Sequence, residues 1–280
     1  MINKNIVIVG LGLIGGSFAK AFQKYSNCRV TGIDSNPDVI AAAVSSGAIV
    51  RQATPNDLES ADVVFLCLYP QADIEFLRKH APHLRPGCVV TDVSGIKSAL
   101  CPQLSEIAAR HGLVYIGGHP MAGKEKSGFA NSEADLFRGA SYILVPCGAP
   151  QSAIDLMTAI AMELGFEGTV LATPEEHDRK IAFTSQVPHV LACAYVKSPQ
   201  CPDHAGFSAG SYRDVSRVAS VDETMWTELF LDNRVALTEE LDTLIGNLKD
   251  IRNAIDSGDA ETLRALLREG RLIKERLGEA

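Results

Sequence analysis

The sequence predicts an α/β protein, a doubly wound N-terminal domain followed by an all-α C-terminal domain, on three observations. Up to Thr169 short β-branched runs alternate with helix-length stretches, the pattern of parallel strands joined by helical crossovers. The first such run leads directly into a glycine-rich turn that opens a helix. Beyond Leu171 no run reads as a strand, and only helix-length stretches remain. The expected domains are therefore 1–169 and 170–280.

Expected strands are 6–9, 30–33, 63–68, 88–92, 114–116 and 142–145, and expected crossover helices are 13–25, 37–46, 72–80, 97–110 and 151–164. The strands are apolar throughout rather than alternating, so both faces of a parallel sheet should be covered. In the second half, Thr173 can cap a helix, Pro174 suits its first position, and Glu176 completes a capping box. The stretches 222–250 and 260–277 have the length and mixed charge of amphipathic helices. Such helices finish burying their apolar faces in a partner, which predicts a homodimer through the helical domain.

The net charge of −8 offers no general attraction to nucleic acid or to an anionic membrane. Seven cysteines form no C-x-x-C pair and no cluster with zinc spacing, so no metal site is expected, and they read as reduced residues of a cytoplasmic protein. The apolar run at the N-terminus is too short for a signal peptide, and no stretch reaches the roughly 18 apolar residues of a membrane span.

Gly10, Gly12 and Gly15 form a G-x-G-x-x-G between strand and helix, the dinucleotide-binding signature of a Rossmann domain. Gly10 permits the tight turn, Gly12 lets backbone approach a pyrophosphate, and Gly15 lets helix pack on strand. Leu13 and Ile14 supply first-turn N–H groups at the positive end of the helix dipole. Asp34 closes the second strand, where a carboxylate accepts the ribose hydroxyls and repels a 2′-phosphate; Ser35 and Asn36 bring no offsetting cation. NAD is the expected cofactor.

His119 lies in GGHPMAG, just past the expected fifth strand. Ligands of a doubly wound sheet meet the chain at the carboxyl ends of strands, and oxidation of an alcohol needs a base for the hydroxyl proton. Position alone leaves this role level with that of a histidine capping a loop carbonyl.

Five segments resemble the prephenate dehydrogenase family, which includes arogenate and cyclohexadienyl dehydrogenases: GLGLIGGS at 10–17, DVSGIKS at 92–98, GGHPMAGKEKSG at 117–128, EEHDRKIAFTSQVPH at 175–189 and GSYRDVSRVASVDETMW at 210–226. They occur in family order and span nearly the whole chain. The resemblance implies NAD-dependent oxidative decarboxylation of prephenate to 4-hydroxyphenylpyruvate, or of arogenate to tyrosine. It makes His119 the catalytic histidine that bonds the ring hydroxyl, and Arg217 the residue that binds the ring carboxylate. Arg213 occupies a position that tends to be basic. Glu125 matches an acid near the pocket mouth, Lys124 brings a cation beside it, and Trp226 matches a tryptophan close to the pocket.

Two positions depart from the family pattern. Where many relatives read D-x-G-S-x-K, this chain has Asp92-Val93-Ser94-Gly95-Ile96-Lys97, which leaves Ser94 and Ser98 as substitutes for the serine. Where many read S-H-x-P-H it has Ser185-Gln186-Val187-Pro188-His189, so Gln186 offers the substrate an amide in place of a cation, and prephenate and arogenate stay open. No regulatory or chorismate mutase segment is recognised after the helical domain, so any feedback by tyrosine is expected at or near the active site. The competing readings are a β-hydroxyacid dehydrogenase or imine reductase of similar plan, and a non-enzymatic NAD sensor.

Overall fold

The computed structural model describes residues 1–124 and 126–278. They form two compact units, Met1–Asn233 and a second beginning at Arg234.

The first unit is built on a seven-stranded sheet. Its strands are β1 (Asn5–Val9), β2 (Arg29–Ile33), β3 (Val63–Leu66), β4 (Val89–Asp92), β5 (Val114–Pro120), β6 (Ser141–Val145) and β7 (Gly168–Leu171), ordered β2-β1-β3-β4-β5-β6-β7. The helices among them are α1 (Leu13–Tyr25), α2 (Pro37–Ser45), α3 (Pro55–Glu59), α4 (Pro70–His80), α5 (Cys101–Arg110) and α6 (Gln151–Glu163). Strands β2, β1, β3, β4 and β5 run parallel. The order reverses at β1, so a crevice opens at the carboxyl ends of β1 and β3, where such sheets take their ligands.

Alternation along β1 explains the two apolar layers. Ile6 and Ile8 enter one core with Phe18, Phe22, Phe65 and Tyr142, while Val7 and Val9 enter the other with Val64, Leu66, Leu77 and Leu104.

The sequence predicted a parallel sheet, but the pairing of β5 with β6 is antiparallel. β5 runs on through Gly117-Gly118-His119-Pro120 and pairs antiparallel with β6, Gly117 against Val145 and His119 against Ile143. His119 therefore lies within a strand rather than past its end. The glycines misled the reading because they look like a break. A Cβ at Gly118 would stand 2.5 Å from Tyr142 Oη and 2.6 Å from the Asp92 carbonyl oxygen, and one at Gly117 would stand 3.0 Å from Lys97 Cδ. They are small to admit the protein's own interior. β7 also went unrecognised, a four-residue edge strand paired only with β6.

Helices α7 (Pro174–Ile181) and α8 (Val187–Tyr195) are joined by a π-helical turn over Ala182–Gln186 and followed by α9 (Gly210–Ser216), a 3-10 turn over Arg217–Ala219, and α10 (Glu223–Asp232). Thr173 caps α7 as expected, its hydroxyl accepting from the Glu176 N–H at 3.1 Å. The Glu176 carboxylate pairs with Lys180 Nζ, one turn on. The single helix expected over 222–250 is interrupted at Asn233, whose amide donates to the Asp178 carbonyl and to Gln186 Oε1. The second unit consists of α11 (Arg234–Asp256) and α12 (Ala260–Arg276).

Candidate active site

The glycine turn has the form a dinucleotide requires. Gly10 sits at φ +86°, and a Cβ there would lie 2.5 Å from the Cys67 carbonyl oxygen, so only glycine fits. A Cβ at Gly15 would lie 1.9 Å from the Gly10 carbonyl oxygen, which ties close packing of α1 to this residue. Gly12 differs, because a Cβ there would meet nothing within 4 Å. The protein's own packing does not ask for glycine at position 12, whereas a ligand lying on the backbone would. Gly12 caps α1 without a side-chain bond and no acid occupies the first turn, so the N–H groups of Leu13 and Ile14 belong to an uncapped, positive helix end.

Asp34 follows β2, and its carboxylate accepts from the Leu11 N–H at 2.8 Å and the Asn36 N–H at 2.9 Å. These bonds hold the carboxylate beside the turn and leave each oxygen a lone pair for a ribose hydroxyl.

Below His119 lies a charged cluster that the sequence reading passed over. Asp92 ends β4, and both it and Lys97 are fully buried, with Nζ 2.7 Å from Oδ1. Asp92 also accepts from Tyr115 Oη at 2.6 Å and from the Ser94 N–H at 2.8 Å, and Lys97 Nζ donates to the Ser94 and Ile96 carbonyls as well. The pair is thus surrounded by hydrogen bonds, the condition under which a buried pair persists. Burial, with Asp92 next, pushes the Tyr115 phenol up, so it remains a neutral donor.

His119 is half-buried, and its Nδ1 shares a hydrogen bond with His177 Nε2 at 2.9 Å. His177 Nδ1 meets Asp178 Oδ1 at 2.7 Å, and Asp178 further accepts from the backbone N–H groups of Lys97 and Ser98. Burial pushes His119 well below the usual imidazole value, helped by His177 and the Lys97 charge. Burial lowers His177 too, against the pull of Asp178. Burial alone would raise the Asp178 carboxyl, but the bonds from His177 and Ser98 outweigh it and keep it low. His177 and Asp178 occupy the first two turns of α7, a place usually given to solvated charge; nothing local in the sequence distinguishes them.

The remaining expected residues divide. Ser94 is buried, and its hydroxyl accepts from the Ile96 N–H at 3.4 Å within the turn after β4. Ser98 stands over Asp178, bonded to it through N–H and hydroxyl. Lys124 Nζ pairs with Glu133 Oε1 at 2.5 Å. Glu125 lies outside the described residues. Arg213 and Arg217 are exposed, on α9 and at its end, where helical dihedrals continue and keep the two on one face. Gln186 corrects the expectation of a substrate contact: it is 1% exposed, its amide donates to the Leu229 carbonyl, and Oε1 accepts from Asn233. Its polar atoms join the π turn to α10. His189 of the same motif stacks on Trp226 with ring centroids 3.8 Å apart, while its Nδ1 is held by the Ser185 carbonyl.

Residues 18–168 match the family model described as "Prephenate dehydrogenase, nucleotide-binding domain", and residues 173–269 that described as "Prephenate dehydrogenase, dimerization domain". The cyclohexadienyl dehydrogenase of Zymomonas mobilis is 32% identical over 272 residues, 93% of this chain and 91% of that protein. Among solved structures, a prephenate dehydrogenase from A. aeolicus in complex with hydroxyphenyl propionate and NAD+ is similar with TM-score 0.86 at 28% identity, covering 99% of this chain and 98% of that one. The Synechocystis arogenate dehydrogenase is similar with TM-score 0.82 at 26% identity, covering 99% of this chain and all of that one (100%).

Proposed function

The chain belongs to the prephenate dehydrogenase family, and on that premise we propose that it converts prephenate to 4-hydroxyphenylpyruvate, in tyrosine biosynthesis, with NAD as cofactor. One observation carries the reading: His119, at the carboxyl edge of the sheet, has Nδ1 on His177, which leaves Nε2 to take a proton. The β-hydroxyacid and sensor readings have no feature of the site in their favour.

Bound NAD supplies the hydride acceptor. Gly10, Gly12 and Gly15 shape the turn for its pyrophosphate, the Leu13 and Ile14 N–H groups face that charge, and Asp34 takes the ribose hydroxyls and disfavours a 2′-phosphate. His119 accepts the ring hydroxyl's proton as hydride leaves the same carbon; carbon dioxide then departs and the ring becomes aromatic. The chain has only to position the substrate and move one proton.

The dicarboxylate needs local cations in an acidic protein. Arg217 grips the ring carboxylate in a bidentate fork, with Arg213 beside it on the same face; Lys124, whose Nζ pairs with Glu133, is the further cation. Ser98, bonded to Asp178 behind His177, takes the place of the family's serine. Residues 1–169 hold the cofactor, and residues 170–280 contribute substrate contacts and a homodimer interface. Free cysteines in the apolar cores support a reducing, cytoplasmic setting.

The test is NADH formation by the purified protein with prephenate and arogenate in parallel. Faster turnover of prephenate is expected; preference for arogenate would replace the substrate, and silence with both would overturn the reading. Arg217→Ala should raise the KM for the active substrate roughly 10- to 100-fold with kcat kept, as befits a lost bond to a charged group of about 1.5–3 kcal/mol. An unchanged KM removes Arg217 from the site.

A further inference from the structure

The hydrogen bonds behind His119 fix where its proton sits. Asp178 is an ionised carboxylate and can only accept, so His177 must present Nδ1–H to it. In neutral His177 the other nitrogen, Nε2, then carries a lone pair. That lone pair faces His119 Nδ1 at 2.9 Å, so His119 must donate from Nδ1. Its own Nε2 is left without a proton and, among the described residues, without a hydrogen-bond partner.

We propose that His177 and Asp178 are positioning residues that lock His119 in the tautomer whose bare Nε2 accepts the substrate's hydroxyl proton. The inference rests on the dehydrogenase reading above. The O–H bond of the substrate breaks, its proton goes to Nε2, and the electron pair left on oxygen forms the carbonyl as hydride departs. The imidazolium so formed still donates through Nδ1, and its charge is met across one ring by Asp178.

The intervening ring has a physical purpose. A carboxylate placed directly on His119 would stabilise the imidazolium and raise its pKa, filling the base before substrate arrives. A neutral imidazole fixes the tautomer without setting a full charge against the base. The groups facing His119 and its partner are His177 and Asp178 from α7, Lys97 from the turn after β4, and Asp92 from the end of β4. Lys97 opposes protonation of both rings, while Asp92 favours it at His177.

The first experiment reads the tautomer directly, by long-range proton–nitrogen NMR of the whole protein labelled with 15N-histidine, with His119→Asn to assign the resonances. A protonated Nδ1 and an unprotonated Nε2 at His119 are expected near neutral pH. A proton on Nε2 overturns the proposal, whether or not any substrate is turned over. The second uses the substrate found active. Asp178→Asn replaces a group that only accepts by an amide that, with its carbonyl oxygen kept on the Ser98 N–H, turns NH2 to His177; that donor reverses both rings and moves the His119 proton to Nε2. It should lower kcat by roughly 10²–10⁴-fold, the range of a lost base and of a tautomer-inverting Asp→Asn change, with KM and NAD binding retained. His177→Gln keeps an acceptor for the Nδ1–H and should stay within roughly tenfold of wild type, whereas His177→Phe should fall at least as far as Asp178→Asn. Equal kcat in His177→Gln and His177→Phe would reduce the pair to packing and overturn the assignment. Should Asp178→Asn fail to fold, the wild-type tautomer and the Gln/Phe contrast still decide.

Discussion

Lys97→Met would leave the Asp92 carboxylate with its donors Tyr115, Ser94 and Gly118 but no cation, in an interior that neither side chain shares with water. Removing one partner of a buried pair costs about 3–5 kcal/mol, so chemical denaturation should show a loss of that size; a loss below about 1 kcal/mol would mean that hydrogen bonds alone satisfy Asp92. Whatever folds should also show its acid limb of kcat/KM at higher pH, because the Lys97 charge helps depress both histidines. In the wild type that limb should lie below the ordinary imidazole value of about 6.5, since the base stays unprotonated further into acid. The sign for stability follows from the same lowered values. The unfolded rings bind protons first as pH falls, so the stability present above about 6.5 is lost on the way down to the lower folded-state values. His119→Asn removes the acceptor and should cost roughly 10²–10⁴ in kcat with NAD binding intact, read by turnover and by titration of the cofactor. His119 was legible because glycines and a resemblance framed it. His177 was not, for it lies 58 residues further on and only the folded chain brings the two rings together.

At the scale of elements, β5 does two jobs with one run of residues. Val114–Ile116 extend the parallel sheet against β4, and Gly117–Pro120 turn to an antiparallel partner, so His119 is held by a ladder on one side while its ring reaches α7 on the other. Gly118→Ala tests this. Its Cβ would meet backbone and a buried phenol, neither of which yields cheaply, and overpacking of this kind costs about 1–3 kcal/mol. A drop in thermal stability together with a fall in kcat is expected; full activity at unchanged stability would mean that Tyr142 moves aside freely. The first four expected strands and the crossover helices were readable because burial on both faces leaves a continuous apolar run. The β5–β6 pairing was not, because strand direction depends on a partner 20 or more residues away and the Gly-Gly pair reads as a terminator. The π turn at Ala182–Gln186 escaped for a similar reason: one extra residue in a helix leaves the apolar pattern almost intact, yet it accompanies the turning of Gln186 inward onto Leu229 and Asn233.

For the molecule as a whole, the second unit sets the terms. None of the 17 residues of α12 is buried, and Leu267, Leu272, Ile273 and Leu277 are exposed on or just beyond it. α11 likewise exposes Ile245, Leu248 and Ile255. α12 half-buries Leu263 and Leu266 and leaves its other large apolar side chains exposed, and a helix so thinly covered is marginal in water, since helical stability in proteins comes mainly from packing an apolar face. Ile273 and Leu277 lie one turn apart on the same side, so a second copy of the chain laid along that side would cover both at once. The match of residues 173–269 to a dimerization domain agrees with this choice of partner. Sedimentation should therefore give a dimer at micromolar concentration, and the melting temperature should rise with protein concentration, because association stabilises the folded state by mass action. The double change Ile273→Glu with Leu277→Glu should convert the dimer to monomer and lower that melting temperature. It touches no residue assigned to cofactor or substrate, so a monomer that still turns over would confine the role of α12 to assembly. A wild-type chain that sediments as a monomer throughout would instead require the exposed leucines of α12 to be covered by something other than a second copy.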